Sequence, residues 1–91
     1  MGKWKYTIRF GKHLREAIEA EDIDMVVKCL IACYRELLNK LSDEDKKDYD
    51  FEIEDWIYTL EAYDSDDEDE VNDYLEEFYN ICDGLRAWIS T

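Results

Sequence analysis

The chain has 91 residues, 25 Asp and Glu against 11 Lys and Arg, and a formal charge of −14. Such a field repels phosphate backbones and anionic lipid surfaces, which excludes general nucleic-acid binding by the whole surface and docking on a membrane. The sequence is also 46% hydrophobic and 14% aromatic, too apolar for a disordered acidic tail, so residues 1–91 are expected to fold as a single helical domain.

Proline is absent and the three glycines stand at 2, 11 and 84, leaving long stretches with no helix breaker. The opening segment, Lys3-Trp4-Lys5-Tyr6-Thr7-Ile8-Arg9-Phe10, alternates apolar and polar residues as a strand does. A lone strand has no partner in a helical chain, so it would need pairing in a homodimer. Trp4, Ile8 and Ile18 also fit a helical stripe, and a helical or irregular aromatic, basic arm packed on the bundle is the favoured reading. Leu14, Ala17 and Ile18 mark a short helix ending near Glu21.

The clearest element follows. Ile23, Val27, Leu30, Tyr34, Leu37 and Leu41 recur at steps of three and four, with an apolar arc wide enough for a central helix. Asp22 stands before it as an N-cap. Ser42-Asp43-Glu44-Asp45 opens a third helix, with a serine cap and acids at the positive end of the helix dipole. Tyr49, Ile53, Trp56, Ile57, Leu60 and Tyr63 anchor it. Ser65-Asp66-Asp67-Glu68 is a second start signal, after which Val71, Tyr74, Leu75, Phe78, Cys82, Leu85 and Ile89 form one apolar stripe. Gly84 is either a helix stop or a weak point, and the register of Leu85 and Ile89 favours continuation. The fold class expected is all-α, a compact antiparallel bundle of about four helices with an N-terminal arm.

Charge divides the chain at Leu41. Residues 1–41 hold eight Lys and Arg and six Asp and Glu (+2), whereas residues 42–91 hold three and nineteen (−16). Asp48, Glu52 and Asp55 fall on one face of the third helix, and Asp66, Glu70, Asp73 and Glu77 on one face of the fourth. Neighbours at these steps stand about 5 to 6 Å apart between Cβ atoms, on the scale of successive phosphates along a nucleic-acid strand. With Asp64, Asp67 and Asp69 they make an array able to imitate a phosphate track. Tyr58 and Tyr79 lie off their apolar stripes, as does Met25, and tyrosine outside a core suits a protein interface. The bland alternative is a set of solvated faces and helix-start acids.

Catalysis and metal binding find little support. His13 is the only histidine, no nucleophile motif or glycine-rich phosphate loop accompanies it, and paired carboxylates carry no information in a chain with 25 acids. An EF-hand loop aligned at Asp64 puts Asp69 where glycine is needed and Leu75 where the bidentate glutamate belongs. Cys29 and Cys33 are four apart without a C-x-x-C pair and read as buried apolar residues. Three cysteines cannot all pair within one chain, and no secretory signal is legible, so free thiols inside a cell are expected. No cofactor and no metal are expected.

A small, aromatic-rich, strongly acidic helical chain with no catalytic constellation resembles the anti-defence proteins of phages and mobile elements, the anti-CRISPR and anti-restriction class. The closing segment from Phe78 to Ile89 also resembles the tails of small phage proteins of Gram-positive bacteria. The resemblance is one of class and transfers no site residues. It implies a non-enzymatic inhibitor in the bacterial host cytoplasm, acting on the basic groove of a CRISPR or restriction nuclease; the residues expected to meet that groove come from the charge and aromatic placement above, namely Asp48, Glu52, Asp55, Tyr58, Asp64, Asp66, Asp67, Asp69, Glu70, Asp73, Glu77 and Tyr79. It implies no direct contact with nucleic acid or membrane. The alternatives are an acidic helical adaptor that grips a protein partner through an aromatic groove, and a module that homodimerises through its N-terminal arm.

Overall fold

The computed structural model describes residues 4–63 and 68–89. Its elements run β1 (Tyr6–Ile8), α1 (Gly11–Glu19), α2 (Ile23–Lys40), α3 (Asp43–Glu61), α4 (Glu68–Leu85) and β2 (Ala87–Ile89). Helices dominate because apolar residues recur at three and four. In α2 these are Val26, Val27, Leu30, Cys33, Tyr34 and Leu37, all buried, and α2 is the central helix, packed against α1, α3 and α4.

Local chemistry sets the helix ends. The Asp22 carboxylate accepts from the Met25 amide at 3.2 Å, and the Ser42 hydroxyl accepts from the Asp45 amide at 3.3 Å, so both serve as the N-caps the sequence indicates. Between α1 and α2 the chain turns through Glu21 at φ 57°. There the Glu21 amide donates to the Ile18 carbonyl and the Asp22 amide to the Ala17 carbonyl, which satisfies the last carbonyls of α1.

α3 and α4 run antiparallel. The Tyr49 hydroxyl near the start of α3 reaches Gly84 near the end of α4, where an added Cβ would stand 3.1 Å from it. Further along, Trp56 meets the Tyr74 ring edge to face at 4.8 Å. Large aromatics hold this pair together while their backbones stay apart among the described residues. The main core gathers Leu14, Leu30, Tyr34, Leu37, Ile53, Leu60, Val71 and Phe78, with Tyr34 edge-on to Phe78 at 5.0 Å.

Within the N-terminal arm Tyr6–Ile8 form a strand, which corrects the favoured helical or irregular reading at those residues, while Trp4, Lys5, Arg9 and Phe10 are irregular and Lys3 lies outside the described residues. The strand's partner lies in the same chain: β1 pairs in parallel with β2, Tyr6 opposite Ala87 and Ile8 opposite Ile89. α4 therefore does not carry its stripe through to Ile89. It ends at Leu85, with Gly84 still inside the helix, and Arg86 at φ 56° redirects the chain. Tyr6 and Ile8 turn into the core. The Tyr6 hydroxyl bonds Asp45 and accepts from the Ser42 amide at 3.0 Å. Glu36 accepts from the Arg9 and Phe10 amides at 2.7 and 3.1 Å, fixing the corner between β1 and α1.

Candidate acidic and aromatic interaction face

Nine acids stand against two lysines within α3. The residues turned to the core are Ile53, Ile57 and Leu60, and a 100° advance per residue then puts Glu52, Asp48 and Asp55 progressively farther round one flank. α4 offers its matching flank, with Glu70, Asp73 and Glu77 beside the buried Tyr74 and Phe78. The two flanks meet at Glu52 and Glu77, which are partly buried. Burial, then a hydrogen bond with Glu77 and then the Glu77 charge push the Glu52 carboxyl above the usual carboxylate range.

Farther along this seam the Tyr74 hydroxyl donates to Glu70 at 2.7 Å. Burial first, and then the bond to Glu70, push that phenol up to about 12. Tyr74 is ringed by Trp56 and by Tyr63, whose centroid lies 6.3 Å away. An open cleft here is lined by Tyr58, Thr59, Ala62, Tyr63, Glu70 and Tyr74. It joins two of the expected residues, Tyr58 and Glu70, from different helices.

The remaining expected residues divide. Asp48 and Asp55 on α3 and Asp69 and Asp73 on α4 are exposed. Asp64, Asp66 and Asp67, with the start signal at Ser65, lie outside the described residues. Tyr79 belongs elsewhere: it is 37% exposed but faces the other flank of α4, beside Trp4, Arg15 and Trp88. There the rings of Trp4 and Trp88 meet at 5.2 Å.

One exposed side chain escaped the sequence reading. Phe51 is 82% exposed and Tyr58 74%, the two most exposed large apolar residues described. The signal was present, since Phe51 misses the stripe of Tyr49, Ile53, Trp56 and Leu60 in the same way as Tyr58, seven residues before it.

Comparison with protein-family models, curated proteins and solved structures returned no match. Among the described residues no three His, Cys, Asp or Glu side chains converge where a metal ion could sit, and no helix is long and apolar enough to cross a membrane. Cys33 and Cys82 are buried and Cys29 half-buried. Burial drives the Cys82 thiol up to about 12, and Cys33 is raised for the same leading reason, so neither is a ready nucleophile. What the α3–α4 side offers chemically is dense negative charge interleaved with exposed aromatic rings.

Proposed function

We propose that this protein is a non-enzymatic inhibitor of the anti-defence class, which sets its α3–α4 face into the basic nucleic-acid-binding groove of a nuclease. The observation that supports this most is the array of acids over α3 and α4, whose two flanks come together at the half-buried Glu52 and Glu77. Two carboxylates held together across a helix pair oppose folding, and a surface shaped by stability alone would separate them. Around them, Asp48, Asp55, Asp69 and Asp73 extend the same charge over the exposed faces of both helices. Such an array steers a cationic partner and competes with a phosphate chain for its groove.

Order of addition tests the reading. CRISPR and restriction nucleases are assayed with the protein added before or after the target DNA. The expected result is inhibition of the free nuclease, resistance of the preformed nuclease–DNA complex, and loss of inhibition when Asp48, Asp55, Asp69 and Asp73 are all changed to Asn. Simultaneous binding of protein and DNA with unchanged affinities would overturn occupancy of the groove. The adaptor reading draws on a separate observation, the exposed Trp4–Trp88 pair with Tyr79 beside it. It expects partner capture to survive the four acid substitutions and to fail on Trp88→Ala.

A further inference from the structure

Phe51 and Tyr58 are seven residues apart on α3, so they lie about 10.5 Å apart along the axis and within about 20° of one another around it. Asp55 stands between them and Ala62 follows, giving a ridge Phe51, Asp55, Tyr58, Ala62 at steps of four, three and four. Every member is exposed, as are the flanking Glu44, Asp48 and Glu54. This is the spacing of a helix seam, the pattern that meets a second helix lying nearly along the first. The aromatic rings are not required by the fold, because the α3 side of the core is filled by Ile53, Ile57 and Leu60.

The middle of the ridge restricts the occupant. Covering Phe51 and Tyr58 also covers Asp55, and a covered carboxylate needs a cation against it. Glu44, Asp48 and Glu54 extend that requirement along the edges. A second copy of α3 would set nine acids and two lysines, the exposed Lys47 on this same face among them, against an identical set, so like charges would outnumber the opposite pairs.

We infer that the outer face of α3 is a docking ridge for a basic amphipathic helix of the protein partner, with Phe51 and Tyr58 entering its apolar stripe and Asp55 meeting a Lys or Arg between them. This rests on the proposed inhibitor reading and specifies the element that the face grips. Charge brings the partner in, and the two rings supply the contact that salt does not screen.

The test uses the full chain and two synthetic helical 18-residue peptides with identical lysine positions, one carrying leucines on its apolar face and the other serines there. Calorimetric titration is run at low salt and at about 0.3 M, where screening shortens the reach of exposed charges. At the higher salt the Lys/Leu peptide should bind about tenfold more tightly than the Lys/Ser peptide, the scale of a modest aromatic anchor. That advantage should fall to within about twofold in the Phe51→Ala/Tyr58→Ala variant and persist in Tyr79→Ala, whose ring lies on the other flank of α4. Asp55→Lys should weaken both peptides. If the double variant loses its cooperative helical melt, Phe51→Ala alone and Asp55→Lys carry the same comparison.

Equal affinities for the two peptides, or an advantage that survives loss of the rings, would overturn the ridge. So would sedimentation showing a dimer of the parent that Phe51→Ala/Tyr58→Ala converts to monomer, since the occupant would then be a second copy. Failure of the nuclease assay alongside a ring-dependent peptide advantage would instead remove the nuclease reading and leave the ridge standing.

Discussion

At the start of α3, Asp45 lies 2.6 Å from Lys5 and bonds the Tyr6 hydroxyl, and these partners, Lys5 first and Tyr6 second, hold its carboxyl below the usual range. Two turns farther along the same helix, Glu52 faces Glu77 and its carboxyl is held above that range. One carboxylate ties the N-terminal strand to the bundle, and the other is kept near a like charge that the bundle would be more stable without. Net charge is therefore a poor guide to what each acid does. Burial and the partner across the packed gap decide it together: Lys5 and then Tyr6 hold Asp45 down, whereas burial first and Glu77 second push Glu52 up.

The largest effect expected from breaking this contrast is at the tied end. Tyr6→Ala removes a buried ring together with the hydroxyl that binds Asp45 and the Ser42 amide, and should cost about 3 to 5 kcal/mol in urea denaturation. Tyr6→Phe keeps the ring and removes only the polar link. It should cost about 1 to 2 kcal/mol, and a loss as large as that of Tyr6→Ala would mean that the strand is held by the hydroxyl rather than by packing.

At the opposed site the sign reverses. Glu52→Gln should raise stability at neutral pH by no more than ~1 kcal/mol, because solvent screens a partly exposed pair. The pH dependence sharpens the distinction. The raised Glu52 gives a native state that binds protons more readily than the unfolded chain, so its penalty is full above the folded pKa and is relieved as pH falls toward 4.5. Asp45 is displaced downward, so its contribution is present above 3.8 and lost as pH falls through its folded value. Thermal melts of Glu52→Gln and Asp45→Asn between pH 3 and 7 should depart from the parent in opposite directions at the neutral end.

The smallest effect belongs to the exposed acids. Asp48→Asn and Asp55→Asn should each change stability by less than about 0.5 kcal/mol. A loss of several times that would place them in the folding class with Asp45.

Much of this architecture was legible in the sequence. The repeat from Ile23 to Leu41 and the caps at Asp22 and Ser42 are local signals, and local signals survive without knowledge of the fold. β2 was not legible, for three reasons that reinforce one another. Leu85 and Ile89 keep a spacing of four, Gly84 invites a helix stop two residues before the turn that occurs, and Arg86 occupies a left-handed position that sequence statistics reserve for glycine or asparagine. A three-residue strand adds too little alternation to outweigh these. With β2 hidden, β1 had no visible partner.

The acidic face was legible as two separate flanks, but their meeting at Glu52 and Glu77 depends on how α3 lies along α4. Tyr79 shows the reverse error. It lies off the apolar stripe as expected, but two residues from Glu77 is about 200° around the helix, and a place off the stripe does not say which flank a ring occupies.

The parallel pairing of β1 with β2 joins the sixth residue to the eighty-seventh, so it cannot nucleate the fold. Closing so long a loop loses more chain entropy than three ladder residues return, and only an assembled bundle brings the two segments within reach. The strands should thus form last on refolding and open first under native conditions. The amides of residues 6–8 and 87–89 should exchange with solvent hydrogen together, ahead of those in α2, as one cooperative unit. Because β1 and the residue that precedes it bring Tyr6 and Lys5 to Asp45, each opening also frees the first turn of α3. Local unfolding at the sheet would therefore be felt along the helix that carries Phe51, Asp55 and Tyr58.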